Sequence, residues 1–210
     1  MNDTYYAVRI TFTDFLLGSA PLDEEIYSTY IAGKAPANGL NGSAQTELEL
    51  MEEADIKGRT GFLRDEKGQP LLMNYVIKGF LKESWQANRQ RPGALSFAMK
   101  AGKSKIDDLL FVNPRHIVLR LPPGGKESIN ERPLRAETAR GPRVALAASE
   151  QMPAGTWFDI KIAVLAPQII TQELLSEWLD YGQWLGIGQW RSGQYGAFRY
   201  NLKPFTPTDA

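Results

Sequence analysis

Reactive residue types and catalytic motifs are scarce in this chain of 210 residues. Cysteine is absent, which excludes a disulfide framework, a thiolate metal site and a cysteine nucleophile. His116 is the one histidine, and the sequence contains no GxxxxGKS/T loop, GxSxG elbow or HExxH helix. We therefore predict a protein that is not an enzyme and that carries no cofactor or metal.

Net charge and long apolar runs are also lacking. The 24 basic and 24 acidic side chains cancel, which argues against a protein whose whole surface binds polyanions. A nucleic-acid site would have to be a local patch. No apolar stretch is long enough to cross a bilayer, and the amino terminus has neither the basic region nor the apolar run of a signal peptide. We expect a cytoplasmic protein with no membrane partner.

The periodicity of the apolar residues predicts an α+β fold. Helical spacing favours one helix from Asn74 to Arg89, capped by Asn74, and a second from a Thr171 cap to near Gly182. Alternating apolar residues predict strands at 6–12, 117–121, 158–164 and 198–202, the last stopped by Pro204. This order is typical of the ferredoxin-like (RRM-like) βαββαβ core, which RNA-recognition modules also use. We predict a single domain, 1–210, with insertions at about 18–73 and 122–156.

A glycine-rich segment lies between the second helix and the last strand. Residues 185–200 read LGIGQWRSGQYGAFRY. Glycine-dense backbone can present N–H groups to a phosphate, and aromatic rings can stack on bases. The alternative is a helix-to-strand connection in which the glycines allow tight packing. The candidate RNA-binding residues in this segment are Gly186, Gly188, Trp190, Arg191, Gly193 and Gly196.

Basic residues are concentrated in two further segments. Arginine contacts phosphate bidentately and stacks on bases, which suits a clamp for single-stranded RNA. The alternative is an exposed loop whose arginines pair with Glu131 and Glu137. The arginines of an apparently irregular stretch are Arg132, Arg135, Arg140 and Arg143. The cluster before the first helix contains Lys57, Arg59, Arg64 and Lys67, and Lys78, Gly79 and Lys82 follow in the helix.

Four segments then carry a family resemblance. Residues 8–20 look like a first strand with its glycine turn, and 64–82 look like an arginine-aspartate, glycine and proline stretch that enters the first helix. Residues 135–144, followed by 152–158, are similar to a segment in which bound RNA is clamped ahead of the next core strand, and 186–198 resemble a glycine-rich signature loop. Together they resemble the RAMP superfamily of CRISPR-associated proteins, specifically the Cas7-like backbone subunits.

The resemblance implies a scaffold that captures single-stranded guide RNA within a CRISPR-type ribonucleoprotein. Its implied partners are that RNA and either other effector subunits or copies of itself, assembled head to tail. Lys78 and Gly79 match the family's lysine-glycine pair, whereas Tyr75 and Val76 replace its serines. Arg59 stands where RNA-cleaving members have a catalytic aspartate, which implies that cleavage is absent.

Two other functions stay open. A phage or mobile-element homologue would dock on defence proteins or bind single-stranded nucleic acid. A RAMP-type endoribonuclease would need His116 as a general base, or Asp55 in place of the missing aspartate. Asp107 and Asp108 make a poor metal site, because we expect them on a strand, where neighbouring side chains point to opposite faces. The acidic stretch 47–53 is predicted to face the arginine segment of a next copy.

Overall fold

The computed structural model describes residues 3–22, 59–138 and 141–206, with the backbone alone at 134–138 and 141–145. The chain divides into two units. The core unit comprises Met1–Leu16, Arg64–Lys126 and Met152–Ala210, and the hairpin unit comprises Leu17–Leu63 and Glu127–Gln151. The acidic stretch 47–53, Asp55, Lys57 and Arg140 lie outside the described residues.

Along the described chain, six strands are followed by three helices, five strands, two helices and a last strand. The strands are β1 (Thr4–Phe12), β2 (Leu16–Leu17), β3 (Ala20–Pro21), β4 (Thr60–Gly61), β5 (Leu63–Arg64), β6 (Pro70–Met73), β7 (Leu110–Asn113), β8 (His116–Val118), β9 (Ser128–Thr138), β10 (Gly141–Met152), β11 (Trp157–Val164) and β12 (Phe198–Phe205). The helices are α1 (Asn74–Asn88), α2 (Leu95–Ala98), α3 (Gly102–Leu109), α4 (Gln172–Asp180) and α5 (Gly182–Leu185), with a 3₁₀ turn at Arg191–Gly193.

A four-stranded antiparallel sheet organises the core unit. Its order is β12-β1-β11-β7, with α1 between β1 and β7 along the chain and α4 between β11 and β12. Two strand–helix–strand units interlocked in this way are the split βαβ arrangement. The predicted α+β class, compatible with a ferredoxin-like core, is confirmed.

The helices cover one face of this sheet with apolar side chains. On β1 the alternating residues Tyr6, Val8, Ile10 and Phe12 are buried, as the period of two requires. The buried apolar residues of the two main helices are Ile77, Phe80, Leu81 and Trp85 on α1 and Leu174, Leu175, Trp178 and Leu179 on α4. Thr171 caps α4 as predicted, its side chain accepting a hydrogen bond from the Leu174 N–H at 3.3 Å.

Three local predictions are wrong. Asn74 does not cap α1: Met73 holds the N-cap position, and the Asn74 side chain donates to the Val112 carbonyl at 2.9 Å. The strand expected at 117–121 is the short β8, which pairs with β6 in a small sheet because an adjacent strand, β7, pairs with β11 instead. Pro204 does not stop β12, since an edge strand tolerates a residue without an N–H donor.

The arginine segment and the Asp107-Asp108 pair also differ from expectation. Arg132, Arg135 and Arg143 lie in the long antiparallel pair β9–β10, although prolines and a glycine predicted irregular backbone. The continuous antiparallel pairing of residues Ser128 to Thr138 with β10 outweighs the local preference of the prolines and the glycine for irregular backbone. Asp107 and Asp108 belong to α3, where the chain forms a helix before entering β7.

The hairpin unit has its own sheet, in the order β2-β10-β4-β3 with β9 on β10. Arg132 is buried in it and donates to Ser149 Oγ at 3.2 Å and Asn130 Oδ1 at 3.3 Å. The Glu150 carboxylate accepts from the Phe62 N–H at 2.9 Å. These polar contacts hold β4 and β9 to β10 and give Arg132 a structural role.

Tyr200 on β12 contacts α4 and provides a pH-dependent test of the stability of the core unit. The Tyr200 hydroxyl donates to Asp180 Oδ1 at 2.9 Å, and burial, followed by this hydrogen bond, raises the pKa of Tyr200 to about 12. In the unfolded chain tyrosine ionises near pH ~10. Between about pH 10 and 12 the folded state therefore holds more protons than the unfolded state, so stability is present below pH ~10 and falls as pH rises through this window.

Tyrosinate absorbance titration checks this expectation. The native protein should show an absorbance step near the pKa of about 12 that is smaller in Tyr200→Phe. Equal late steps in both proteins would contradict the assignment. Because this loss of stability depends on the Tyr200 hydroxyl, the free energy of unfolding should decrease less at alkaline pH in Tyr200→Phe than in the native protein.

Candidate nucleic-acid interface

The glycine-rich loop closes on itself at its base. The Ile187 N–H donates to the Gly196 carbonyl at 2.9 Å, and the Gly196 N–H donates to the Phe15 carbonyl at 2.7 Å. Gly186 and Gly196 have φ values of +69° and +74°. A Cβ on Gly196 would overlap the Ile187 carbonyl, and one on Gly186 would overlap the Tyr195 carbonyl. Tight packing, the alternative considered above, thus explains these two glycines.

The tip of the loop forms an aromatic platform. Trp190 stacks on Tyr195 with ring centroids 5.1 Å apart and an angle of 16° between the planes. A Cβ on Gly193 would lie 3.1 Å from the Trp190 ring, so Gly193 allows the ring to fold over the turn. Gly188 has φ +94° and precedes this tip. Trp190 is 40% exposed, which places an aromatic surface where the sequence predicted one.

Arg191 fastens the loop tip to α1. Its guanidinium makes a bidentate pair with the Glu83 carboxylate, in which Nη1 contacts Oε2 and Nη2 lies 3.2 Å from Oε1. Both side chains are partly exposed, and such a surface pair contributes about 0–1 kcal/mol. The loop tip therefore contacts the first helix at Glu83.

Lys78 and Lys82 point from α1 toward the end of α3. Lys78 Nζ donates to the Asp107 carbonyl at 3.0 Å and lies 5.0 Å from the Phe111 ring centroid. Lys82 Nζ lies 2.5 Å from Asp107 Oδ1. Burial lowers the pKa of Lys78, opposed by the nearby Asp107 charge. The two ammonium groups thus share one carboxylate-bearing residue, and their positions are fixed by contacts.

Gly79 lies in the same stretch of α1 and has no packing role among the described residues. Apart from its chain neighbours and the nearby backbone of its own helix, a Cβ built on it would have no described atom within 4 Å. Glycine inside a helix costs about 0.5–1 kcal/mol relative to alanine, so an unforced glycine here weakens the helix without a local benefit. Glu83 follows it by one turn, so Gly79 and the Arg191 ion pair share one side of the helix.

The remaining predicted residues lie in the hairpin unit. Arg135 pairs with Val144 and Arg143 with Ala136 in the β9–β10 ladder, so the two arginines occupy neighbouring registers. Arg59 is exposed, and its carbonyl accepts from the Leu22 N–H at 3.2 Å. In the core unit, Lys78 and Lys82 lie on α1 and Arg191 contacts the same helix at Glu83. Arg59, Arg135 and Arg143 belong to the other unit.

Sequence reasoning missed a basic surface on the four-stranded sheet. Arg9, Lys161 and Lys203 are exposed on the face opposite the helices. In the sequence, these cations are the polar residues that alternate with the apolar residues from which the strands were predicted. His116 is exposed on β8, and no group of three or more histidine, aspartate or glutamate side chains among the described residues is placed to hold a metal.

No protein-family model matches the sequence, and no curated protein matches it. The comparison with solved structures does give a match to the fold. The fold resembles that of a chain in the cryo-EM structure of the Type III-B Cmr-beta bound to cognate target RNA.

The Cmr-beta match extends over 96% of this chain with a TM-score of 0.53 and 10% sequence identity. This chain spans 60% of the length of the Cmr-beta chain. At this identity the likeness shows a shared fold alone. Among the described residues, none of the helices has the length and hydropathy needed to span a membrane.

Proposed function

We propose that this protein is an RNA-binding, Cas7-like scaffold subunit of a CRISPR-type ribonucleoprotein, and that it binds without cleaving. Its fold matches a chain of the Type III-B Cmr-beta structure, which contains bound target RNA. The proposed ligand is a single strand held by contacts to its backbone, largely independent of sequence. The proposed partners are other effector subunits or further copies of this chain.

Gly79 is the observation that carries this proposal. It lies within α1 between the two lysines, and one turn before the Glu83 carboxylate that holds Arg191. A missing Cβ that packing does not require leaves room for another molecule's backbone to approach the helix. A phosphate at this place would be within the reach of cationic side chains from both α1 and the loop.

The ion pairs around Gly79 are weak enough to exchange for phosphate contacts. The Arg191–Glu83 pair is exposed to solvent, and pairs of this kind contribute about 0–1 kcal/mol. Hydrogen bonds from a guanidinium to phosphate oxygens are charge-assisted, as those to the Glu83 carboxylate are, so the exchange replaces one set of such bonds with another. Glu83 and Asp107 therefore keep the cations in position without holding them against RNA. The Trp190–Tyr195 platform adds a surface for stacking beside them.

Gly79→Ala is the sharpest test, because the two expected effects have opposite signs. Alanine should raise the free energy of unfolding by about 0.5–1 kcal/mol through helix propensity. The same methyl group should weaken binding of single-stranded RNA by obstructing backbone approach. Fluorescence anisotropy with labelled RNA at several salt concentrations, together with urea denaturation, measures both. Gln86→Ala, on an exposed position of the same helix, is the matched control.

A charge variant completes the test. Lys78→Gln/Lys82→Gln/Arg191→Gln should weaken binding by at least about tenfold and reduce the salt slope by about 2, as expected for three lost phosphate contacts on a single strand. If both variants bind RNA as the native protein does, this site does not hold RNA. Absent RNA binding together with binding to a CRISPR effector would favour the anti-defence alternative.

A further inference from the structure

The face of the four-stranded sheet that lies opposite the helices carries exposed cations. We call it the cationic face and define it by Arg9 on β1, Lys161 on β11, and Arg199 and Lys203 on β12, all of them exposed. Asp159 lies among them and pairs with Arg9 at 2.8 Å. The overall charge balance of the chain conceals this local excess of positive charge.

The strand register places the lysines on either side of a small residue. Ala7 lies opposite both Lys161 and Lys203, on its two neighbouring strands. Because adjacent strands are about 4.8 Å apart, the two lysine backbones stand about 10 Å apart across Ala7. An open groove of about 610 Å³ lies here, lined also by Arg9, Asn113 and Asn201. Sites of this size, within about 300–1,000 Å³, hold small organic groups.

Aromatic rings lie at both ends of this groove. Trp157 is opposite Thr11, and Phe205 is opposite Tyr5, six residues away along β1. At about 3.4 Å per residue, the two rings are about 20 Å apart along the strands. Phe205 also contacts the Tyr5 ring edge-to-face, with centroids 6.0 Å apart.

Cationic side chains lie over the faces of both rings in the structure. The Arg9 guanidinium carbon lies 4.1 Å from the Trp157 ring centroid, and that of Arg120 lies 5.0 Å from it. Lys161 Nζ lies 5.4 Å from the Phe205 centroid. An exposed cation–π contact contributes about 0.5–1 kcal/mol, whereas stacking of a base on an aromatic side chain contributes about 1–3 kcal/mol. A base can therefore replace the cation on the ring while the cation turns to a phosphate.

The chemistry of this surface favours a polyanion over a protein partner. Lysine is depleted from the cores of protein–protein interfaces, whereas Lys161 and Lys203 flank the centre of the cationic face. Asn113, opposite Lys161 on β7, and Asn201, beside Lys203 on β12, add donors and acceptors for base edges. We propose that the cationic face is a second binding surface for single-stranded nucleic acid, with phosphates on Lys161 and Lys203 and bases stacked on Trp157 and Phe205.

This surface lies on the opposite side of the sheet from α1, so it can be tested separately from the proposed function. The test compares Lys161→Gln/Lys203→Gln with Lys100→Gln/Lys126→Gln, which removes the same charge from exposed positions elsewhere in the core unit. Labelled uridine-rich RNA and DNA of the same sequence are titrated by anisotropy over a salt series. RNA containing 5-bromouridine is then photo-crosslinked to the native protein, and the crosslinked peptides are mapped by mass spectrometry.

We expect the sheet variant to bind on the order of tenfold more weakly than the control at low salt, with a salt slope reduced by about 1.4 for two lost phosphate contacts. Crosslinks should fall on the β11 and β12 peptides that contain Trp157 and Phe205. Equal affinity of the two variants, with crosslinks confined to the glycine-rich loop and α1, would overturn this proposal and leave the proposed function intact.

The remaining outcomes also separate the two proposals. Weaker binding by the sheet variant, with unchanged binding by Gly79→Ala and by the charge variant of α1 and Arg191, would support the cationic face and overturn the proposed site on α1. Absence of nucleic-acid binding by the native protein at low salt would overturn both. Association of the face with a protein, with nucleic-acid affinity unaffected by the lysine changes, would overturn the choice of ligand.

Discussion

Gly196→Ala should lower the free energy of unfolding by more than about 3 kcal/mol. Gly196 has φ +74°, and a Cβ there would overlap the carbonyl of Ile187. That oxygen belongs to backbone, which cannot rotate away as a side chain does. The loop would have to open, breaking the hydrogen bonds from the Ile187 N–H to Gly196 and from the Gly196 N–H to Phe15.

Gly124→Ala is the matched control for this prediction. Gly124 has the same φ of +74°, but a Cβ there would have no described atom within 4 Å. The control therefore measures the conformational cost of alanine alone, about 1–2 kcal/mol in this region of φ. Urea denaturation of the two variants gives the difference, which is the cost of the clash. A difference near zero would mean that the loop base relaxes, contrary to the close packing described here.

The same substitution should also weaken RNA binding. The loop base positions the turn that carries Arg191, and Arg191 reaches α1 from that turn. Opening the base would move Arg191 away from Glu83 and from the proposed phosphate position beside Gly79. Anisotropy measured well below the unfolding transition would show a larger loss of affinity for Gly196→Ala than for Gly124→Ala.

Trp178→Ala should lower the free energy of unfolding by about 3–5 kcal/mol. Trp178 has 0% exposure and is among the largest fully buried side chains of the core unit. Its indole N–H donates to Ser96 Oγ at 2.8 Å, and that hydroxyl donates to Glu177 Oε1 at 2.5 Å. Its carbonyl accepts from Ser84 Oγ at 2.8 Å. Trp178 thus links α4 to α2 through its side chain and to α1 through its backbone carbonyl.

Trp178→Phe separates the two contributions to this effect. Phenylalanine retains most of the buried apolar volume but leaves Ser96 Oγ without its donor, which costs about 1–3 kcal/mol. Urea denaturation with near-ultraviolet circular dichroism should place this variant well above Trp178→Ala in stability. Equal losses in the two variants would show that the indole–Ser96 hydrogen bond, rather than the filled volume, accounts for the stabilisation by Trp178.

The elements with strong periodicity were predictable from the residues. β1, β11 and β12 show clear alternation, α1 and α4 show helical spacing, and Thr171 marks the start of α4. These patterns record which face of each element is buried, so they survive in a single sequence. They suffice for the α+β class and for the order of the main helices and strands.

Short or locally ambiguous elements were not predictable. β7 has four residues and follows a charged helix, so no period can be read from it. The β9–β10 pair contains prolines and a glycine that favour irregular backbone, and only the ladder between the two strands decides in favour of sheet. Asn74 has a side chain suited to capping a helix, but that side chain instead donates a hydrogen bond to the Val112 carbonyl on β7.

The candidate sites divide in the same way. The residue types at Gly79, Lys78 and Arg191 are visible in the sequence, and they predict phosphate chemistry because glycine leaves space and cations attract anions. Contacts between residues far apart in the chain are not visible there. The Arg191–Glu83 pair, the closure of Gly196 on Ile187 and the alignment of Lys161, Ala7 and Lys203 depend on strand register and helix packing. Sequence thus supplies the chemical groups and the local elements, while tertiary packing decides which groups meet, because distances between separate segments exist only in the folded chain.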